Sequence, residues 1–234
     1  MTTTTGGAAH VLAWMERWLQ TEWPHLKVYL TSVTDHWSVT SIAGPNSREA
    51  ISKICNDIDF SPDAFPFMSF HEGTVAGITA RVYRISFSGE LAYEINVSAN
   101  YGRSLWEAAM EAGQSFNITP YGTEAMHVLR AEKGYIIVGQ DTDGSVTPGD
   151  LGMDWIVSTT KDFIGKRSLS RQDTRRENRK QLVGLTTIDP ALVLPEGAQL
   201  LNEAATEFPA AMVGHVTSSY FSPALQYSIA LALV

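Results

Sequence analysis

Glu94 is the acid whose setting most suggests chemistry. In RVYRISFSGELAYEIN, residues 81–96, it stands between Tyr93 and Ile95, just after a Ser88-Gly89-Glu90 break. A carboxylate at the start of a strand, level with a turn, can reach into a cleft and accept two hydrogen bonds at once. Adjacent N–H donors of the aminopyrimidine type offer that pattern. The same alternation also describes an outward polar position on an ordinary strand, and the segment alone leaves both readings open. Other reactive types are poorly placed. Arg130 and Glu132 sit two residues apart on a helix and cannot face each other. His127 and His215 stand alone, without ligand spacing, so no residue is assigned to a metal. Asp141, Asp143 and Asp150 fall in loops after the helix, with nothing in the sequence to aim them at one point.

The elements that must position Glu94 are a pair of strands. Val82, Ile85 and Phe87 alternate with Arg81, Arg84 and Ser86, and a second strand follows over Tyr93–Val97, with the glycine-containing break as a hairpin turn. Upstream, Val11, Leu12, Met15, Trp18 and Leu19 give one face of an amphipathic helix over Ala8–Trp23, ended by Pro24. Lys27–Thr34 and His36–Ala43 read as strands. Asn46 or Ser47 is placed to cap a helix over Arg48–Cys55. The run Phe65–Phe70 has the extended character that Pro66 imposes, and Gly73–Ile78 reads as a short strand. Helices follow over Arg103–Gly113 and Gly122–Lys133, the second with Gly134 in a position suited to a left-handed stop.

The order of strands and helices is an α+β pattern with antiparallel sheet. Residues 161–180 change the texture: they are dense in charge, read as a solvated linker, and hold a short helix over Gly165–Gln172. Beyond them, Gln181–Ile188, Ala210–Ser218 and Ser228–Val234 read as strands between Pro and Gly turns. The expected division is therefore an α+β region over 1–160, a charged linker over 161–180 and an all-β domain over 181–234.

The chain has 234 residues, 44% of them hydrophobic and 18% charged, with a formal net charge of −8. These are globular values, and the acidic balance argues against nucleic acid as a partner. Cys55 is the lone cysteine, so an intrachain disulfide and a thiolate cluster are excluded, and a reducing cytoplasm is the natural compartment. No apolar run has membrane-spanning length, and the N-terminus lacks the marks of a signal peptide. The closing run SIALALV reads as an unfinished strand.

Several segments together are specific: PFMSF, SFSGELAYEI, PYGTEAMHVLRAEKGY, VTPGDLGMDW, FIGKRSL and GHVTSSYFSPALQYSIALALV, in that order. In these the chain resembles the C-terminal folate-binding half of sarcosine oxidase alpha subunits, and with them the glycine cleavage T-protein (aminomethyltransferase) family. The resemblance implies that family's α+β fold followed by a small C-terminal barrel-like domain, incomplete here at both ends. It implies tetrahydrofolate as ligand, with Glu94 holding the pterin, Phe67 and Met68 lining its pocket, and Trp155 near the aminobenzoyl-glutamate end. Plain core packing is the competing reading for Phe67, Met68 and Trp155, and Tyr83 is read as strand packing. The family's catalytic aspartate would lie upstream of Met1, so no catalytic residue is assigned and the chain alone is expected to be inactive. FAD, FMN and NAD are expected only on other parts of a complete enzyme, which has no G-x-G-x-x-G here, and the other subunits of a sarcosine oxidase are the expected partners. Met126 stands where T-proteins carry an arginine for the folate carboxylate, which weighs against a free-standing aminomethyltransferase. A non-catalytic scaffold for docking subunits is the remaining alternative.

Overall fold

A computed structural model of the chain describes residues 1–204 and 209–234. The chain forms two compact units, residues 1–86 with 90–120, and residues 87–89 with 121–234. The α+β class is as expected: each unit is built on a four-stranded antiparallel sheet accompanied by helices.

The first unit opens with α1 (Ala8–Thr21), an amphipathic helix with no buried residue. Its sheet contains β1 (Trp37–Ala43), β2 (Phe70–Val75), β3 (Ile78–Tyr83) and β4 (Ala92–Ser98), in the order β1-β4-β3-β2. Side chains alternate along β4. Tyr93, Ile95 and Val97 are fully buried, whereas Glu94 and Asn96 are half-buried on the opposite face. The buried face packs on α2 (Ser47–Ser52) and α3 (Gly102–Gly113). Ile51, Phe65, Val75, Val82 and Leu105 complete that core. Burying a side chain such as Ile95 contributes about 1.5–3 kcal/mol. A one-residue slip of β4 would forfeit several such contributions, and this fixes its register.

Several local expectations are corrected. Residues 27–33 form no strand: Val28, Tyr29 and Val33 are exposed, and strand-forming residues without a neighbour to pair with leave their backbone to water. Residues 65–70 are not extended throughout. Pro66–Ser69 turn, with the Ser69 amide donating to the Pro66 carbonyl at 3.3 Å and Met68 at φ 65°. Strand β3 ends at Tyr83, so the expected strand through Phe87 is cut short and residues 84–91 form a long connection to β4. The two-residue hairpin lies instead between β2 and β3, where Ala76 (φ 51°) and Gly77 (φ 78°) have the two left-handed residues of a type I′ turn. Helix α2 is shorter than expected and neither Asn46 nor Ser47 caps it; the Ser47 hydroxyl donates to the Leu91 carbonyl at 2.9 Å.

The second unit holds α4 (Thr123–Lys133) against a sheet of β5 (Leu182–Thr186), β6 (Gln199–Leu200), β7 (Gly214–Ser222) and β8 (Tyr227–Leu233), ordered β5-β8-β7-β6. Strand β7 starts later than the sequence suggests. The helix expected over 165–172 shrinks to a 3-10 turn at Ser168–Ser170, because the tract is exposed and offers it little apolar surface to pack on. Helix α4 ends as read, with Gly134 left-handed and the amides of Gly134 and Tyr135 closing on the carbonyls of Ala131 and Arg130.

This unit has a polar interior. Arg130 and Asp141 are both fully buried and paired at 2.5 Å. Arg130 also donates to the Tyr135 carbonyl at 3.0 Å and to the Ser218 hydroxyl at 2.6 Å. A bulge in β7 between Val216 and Ser218 lets consecutive side chains reach one target. Thr217 and Ser218 both donate to Asp141 Oδ1, at 2.5 and 2.6 Å, while the Ile137 amide donates to Oδ2 at 2.8 Å. Burial opposes ionisation of Asp141, but the Ile137 amide, the two hydroxyls and Arg130 together outweigh it and hold the carboxyl below its ordinary range. Arg179 of the charged tract grips Asp150 through Nε and Nη2 at 2.8 and 2.5 Å, tying the tract to the Thr147–Asp150 loop.

Arg130→Met is expected to lower stability by about 3–5 kcal/mol, because it strands a buried carboxylate. Urea unfolding checks this, and a loss under about 1 kcal/mol would contradict it. A depressed carboxyl pKa stabilises the fold above the unfolded value of about 4 and ceases to do so as pH falls through the folded value. The Asp141 contribution should therefore fade as pH falls below about 4, which urea unfolding at a series of pH values checks.

Candidate functional site

The register of the first sheet decides what surrounds Glu94. Glu94 lies opposite Ser41 on β1 and Tyr83 on β3, and Tyr83 lies opposite Phe70 on β2. Directly paired residues share a face, so Ser41, Glu94, Tyr83 and Phe70 form one row across the side of the sheet away from the core. The Tyr83 and Phe70 rings are stacked, with centroids 5.3 Å apart and planes 23° apart. The next row holds Val39, Asn96, Arg81 and Glu72.

Arg81 is the nearby cation, and it is engaged elsewhere. Its Nε donates to Glu72 at 2.8 Å, and its guanidinium lies 4.9 Å from the Trp37 ring centroid. Glu94 receives no such help. Its pKa is raised, and burial is the cause; no described group compensates its charge. A half-buried carboxylate left in this state is poised to accept hydrogen bonds from a ligand, above all from a pair of N–H donors or a cation.

The other residues singled out from the sequence fall as follows. Phe67 and Met68 form the exposed tip of the Pro66–Ser69 turn, 55% and 73% accessible, so neither is a core residue. The Met68 amide donates to the Arg84 carbonyl at 3.0 Å. This anchors the turn one residue beyond Tyr83, at the Glu94 end of the sheet. Trp155 belongs to the second unit, in a 3-10 turn over Asp154–Ile156, and is 81% exposed. Packing in the core is therefore not what any of these three side chains does. Met126 is half-buried in α4. The sequence missed the Phe70–Tyr83 pair as neighbours of Glu94. Their aromatic types were visible, but the pairing depends on a register set by segments far apart in the chain. Among the described residues no group of three or more His, Cys, Asp and Glu is placed to hold a metal ion, and no helix is long and apolar enough to cross a membrane.

Because burial alone raises the Glu94 pKa, its ionised form costs the fold stability. A raised carboxyl pKa favours the folded state below the unfolded value and loses that advantage as pH rises through the folded value. Glu94→Gln should therefore raise the melting temperature at pH 7 and leave it nearly unchanged at pH 3. A lower melting temperature at pH 7 would mean that Glu94 already has a partner.

Two protein-family models match the chain in succession: the GCVT N-terminal domain over residues 1–161 and the glycine cleavage T-protein C-terminal barrel domain over residues 180–234. The sarcosine oxidase subunit alpha of Corynebacterium sp. (strain P-1) is 59% identical over 237 residues, covering 100% of this chain and 24% of that protein. The aminomethyltransferase of Thermotoga petrophila is 30% identical, covering 93% of this chain and 56% of its own length. The chain thus spans about a quarter of the sarcosine oxidase subunit it matches. Among solved structures, the glycine cleavage system aminomethyltransferase T from Bartonella henselae superposes with a TM-score of 0.76 at 21% identity, over 98% of this chain and 58% of that one, which shows a common fold.

Proposed function

This chain belongs to the glycine cleavage T-protein family, and from that premise we propose that it is the tetrahydrofolate-binding, aminomethyltransferase-like part of a sarcosine oxidase alpha subunit. The observation that carries the reading is Glu94, a half-buried carboxylate with its pKa raised and no compensating partner among the described residues. The 2-amino and ring N–H groups of a reduced pterin are the donors such an acid lacks. Bound to Glu94, the pterin edge would favour the acid's ionised form, against the burial that opposes it, and fix the ring's orientation.

In this reading the chain is one part of an oxidoreductase. A flavin held elsewhere in the complete enzyme would supply the two-electron oxidation of sarcosine to an imine. Tetrahydrofolate takes the methylene carbon from it: N5 and N10 each form a bond to that carbon, the bond to the glycine nitrogen breaks, and the two protons displaced from N5 and N10 end on glycine. The products are 5,10-methylenetetrahydrofolate and glycine. This chain's contribution is to bind and orient the folate; no catalytic group is assigned within it. Phe67, Met68 and Trp155 remain proposed folate contacts, supported by their exposure. The flavin and nicotinamide cofactors, the other subunits and a cytoplasmic setting belong to the same proposal. So does the division into a folate-binding region over 1–160, a charged linker over 161–180 and an all-β domain over 181–234.

Glu94→Gln is expected to weaken binding of folinic acid by about 1–3 kcal/mol, since a neutral amide replaces a charge-assisted acceptor of two hydrogen bonds. Calorimetry on the wild-type and variant chains checks this. Equal affinity in the two would remove Glu94 from the site.

A further inference from the structure

The row that carries Glu94 holds a second device for a flat ligand. Tyr83 stands directly beside Glu94 on the neighbouring strand, and Phe70 stands beside Tyr83 on the next. The two rings are stacked at 5.3 Å and 23°, so the phenyl ring fixes the tilt of the tyrosine. Phe70 is 54% exposed, on the face of the sheet away from the core. Aromatic rings left on the open side of a sheet lose most of the benefit of burial. Across strands about 4.8 Å apart, a stack that begins Phe70, Tyr83 continues to the place above β4 where Glu94 projects. On the far side of Glu94 the row ends in Ser41, which is small and exposed. The neighbouring row adds no competing occupant: Arg81 is held by Glu72 and lies over Trp37.

We infer that Tyr83, braced by Phe70, is the wall on which the flat ring of the ligand stacks while Glu94 holds the ring's edge. This rests on the folate reading of Glu94 and deepens it by naming the residues that select a planar heteroaromatic ring over a non-aromatic N–H donor. Tyr83 and Phe70 are positioning residues. Neither touches the atoms that change bonding, and the tyrosine acts through its ring face, so its hydroxyl is dispensable.

Ligand-observed NMR with folinic acid tests this on the wild-type, Glu94→Gln, Tyr83→Ala, Tyr83→Phe and Phe70→Ala chains, and it reads affinities into the millimolar range. Removal of one stacking partner is expected to weaken binding about tenfold in Tyr83→Ala and a few-fold in Phe70→Ala, with Tyr83→Phe close to wild type. Saturation transferred to the C6 and C7 protons of the reduced pterin ring should fall in Tyr83→Ala relative to the benzoyl protons, a change that a general loss of structure would not produce. Thermal melts confirm that the variants are folded, and Arg81→Gln, in the neighbouring row, should bind as wild type does. If Glu94→Gln weakens binding while Tyr83→Ala does not, the stacking inference is wrong and the folate reading stands. If Tyr83→Phe is as weak as Tyr83→Ala, the hydroxyl matters and the inference is also wrong. If the wild-type chain binds no folinic acid, or Glu94→Gln binds it unchanged, the folate reading itself fails and the inference falls with it.

Discussion

The two-residue period of strand β4 is the constraint on which the first unit depends. Tyr93, Ile95 and Val97 must face the helices, because their full burial holds the sheet to α2 and α3. That requirement leaves Glu94 and Asn96 no choice but the opposite face. With β4 paired on both sides, to β1 and β3, the row across Glu94 is fixed as firmly as the core is. The position of the acid is thus a by-product of packing, and its lack of a partner is not. A half-buried carboxylate without a partner destabilises the fold when ionised, a cost that donors from a bound ligand would offset.

The second unit solves the opposite problem. Its two deeply buried charges, Arg130 and Asp141, are paired with each other, although Arg130 Nε itself has no partner among the described residues. Arg130 and Asp141 share a cage made by a bulged strand, a helix and a loop, and Glu132, two residues along, accepts from Ser222 at 2.5 Å. Each carboxylate there has its donors, and the pKa of Asp141 moves down where that of Glu94 moves up. Two acids in one chain are driven apart by their surroundings. One serves the interior, and the other is left with acceptor capacity to spare.

Much of this was legible in the sequence where the signal is local. Helices α1, α3 and α4, the alternation around Tyr93–Val97 and the left-handed stop at Gly134 follow from nearest neighbours and backbone sterics, and the family motifs pointed to Glu94. What failed was whatever depends on distant partners. Residues 27–33 have strand-forming side chains but no strand beside them. Met68 turns where an aromatic run containing Pro66 suggested extension. The spacing of Arg130 and Glu132 correctly said that they do not meet, but not that Ser218 and Ser222, about 90 residues away on β7, are among their partners. The neighbours of Glu94 were hidden for the same reason: Tyr83 and Phe70 stand beside it only through a register that the core of the sheet imposes.

The most direct measurement follows the Glu94 side-chain carboxyl by 13C NMR across pH, with and without saturating folinic acid. In the free chain the carboxyl should titrate above the ordinary value of about 4.3 for glutamate. With the ligand bound, two N–H donors favour the ionised form, and the titration should move below the free-chain value. A titration that stays where it was, or moves upward, at saturating ligand would show that Glu94 does not hold the pterin.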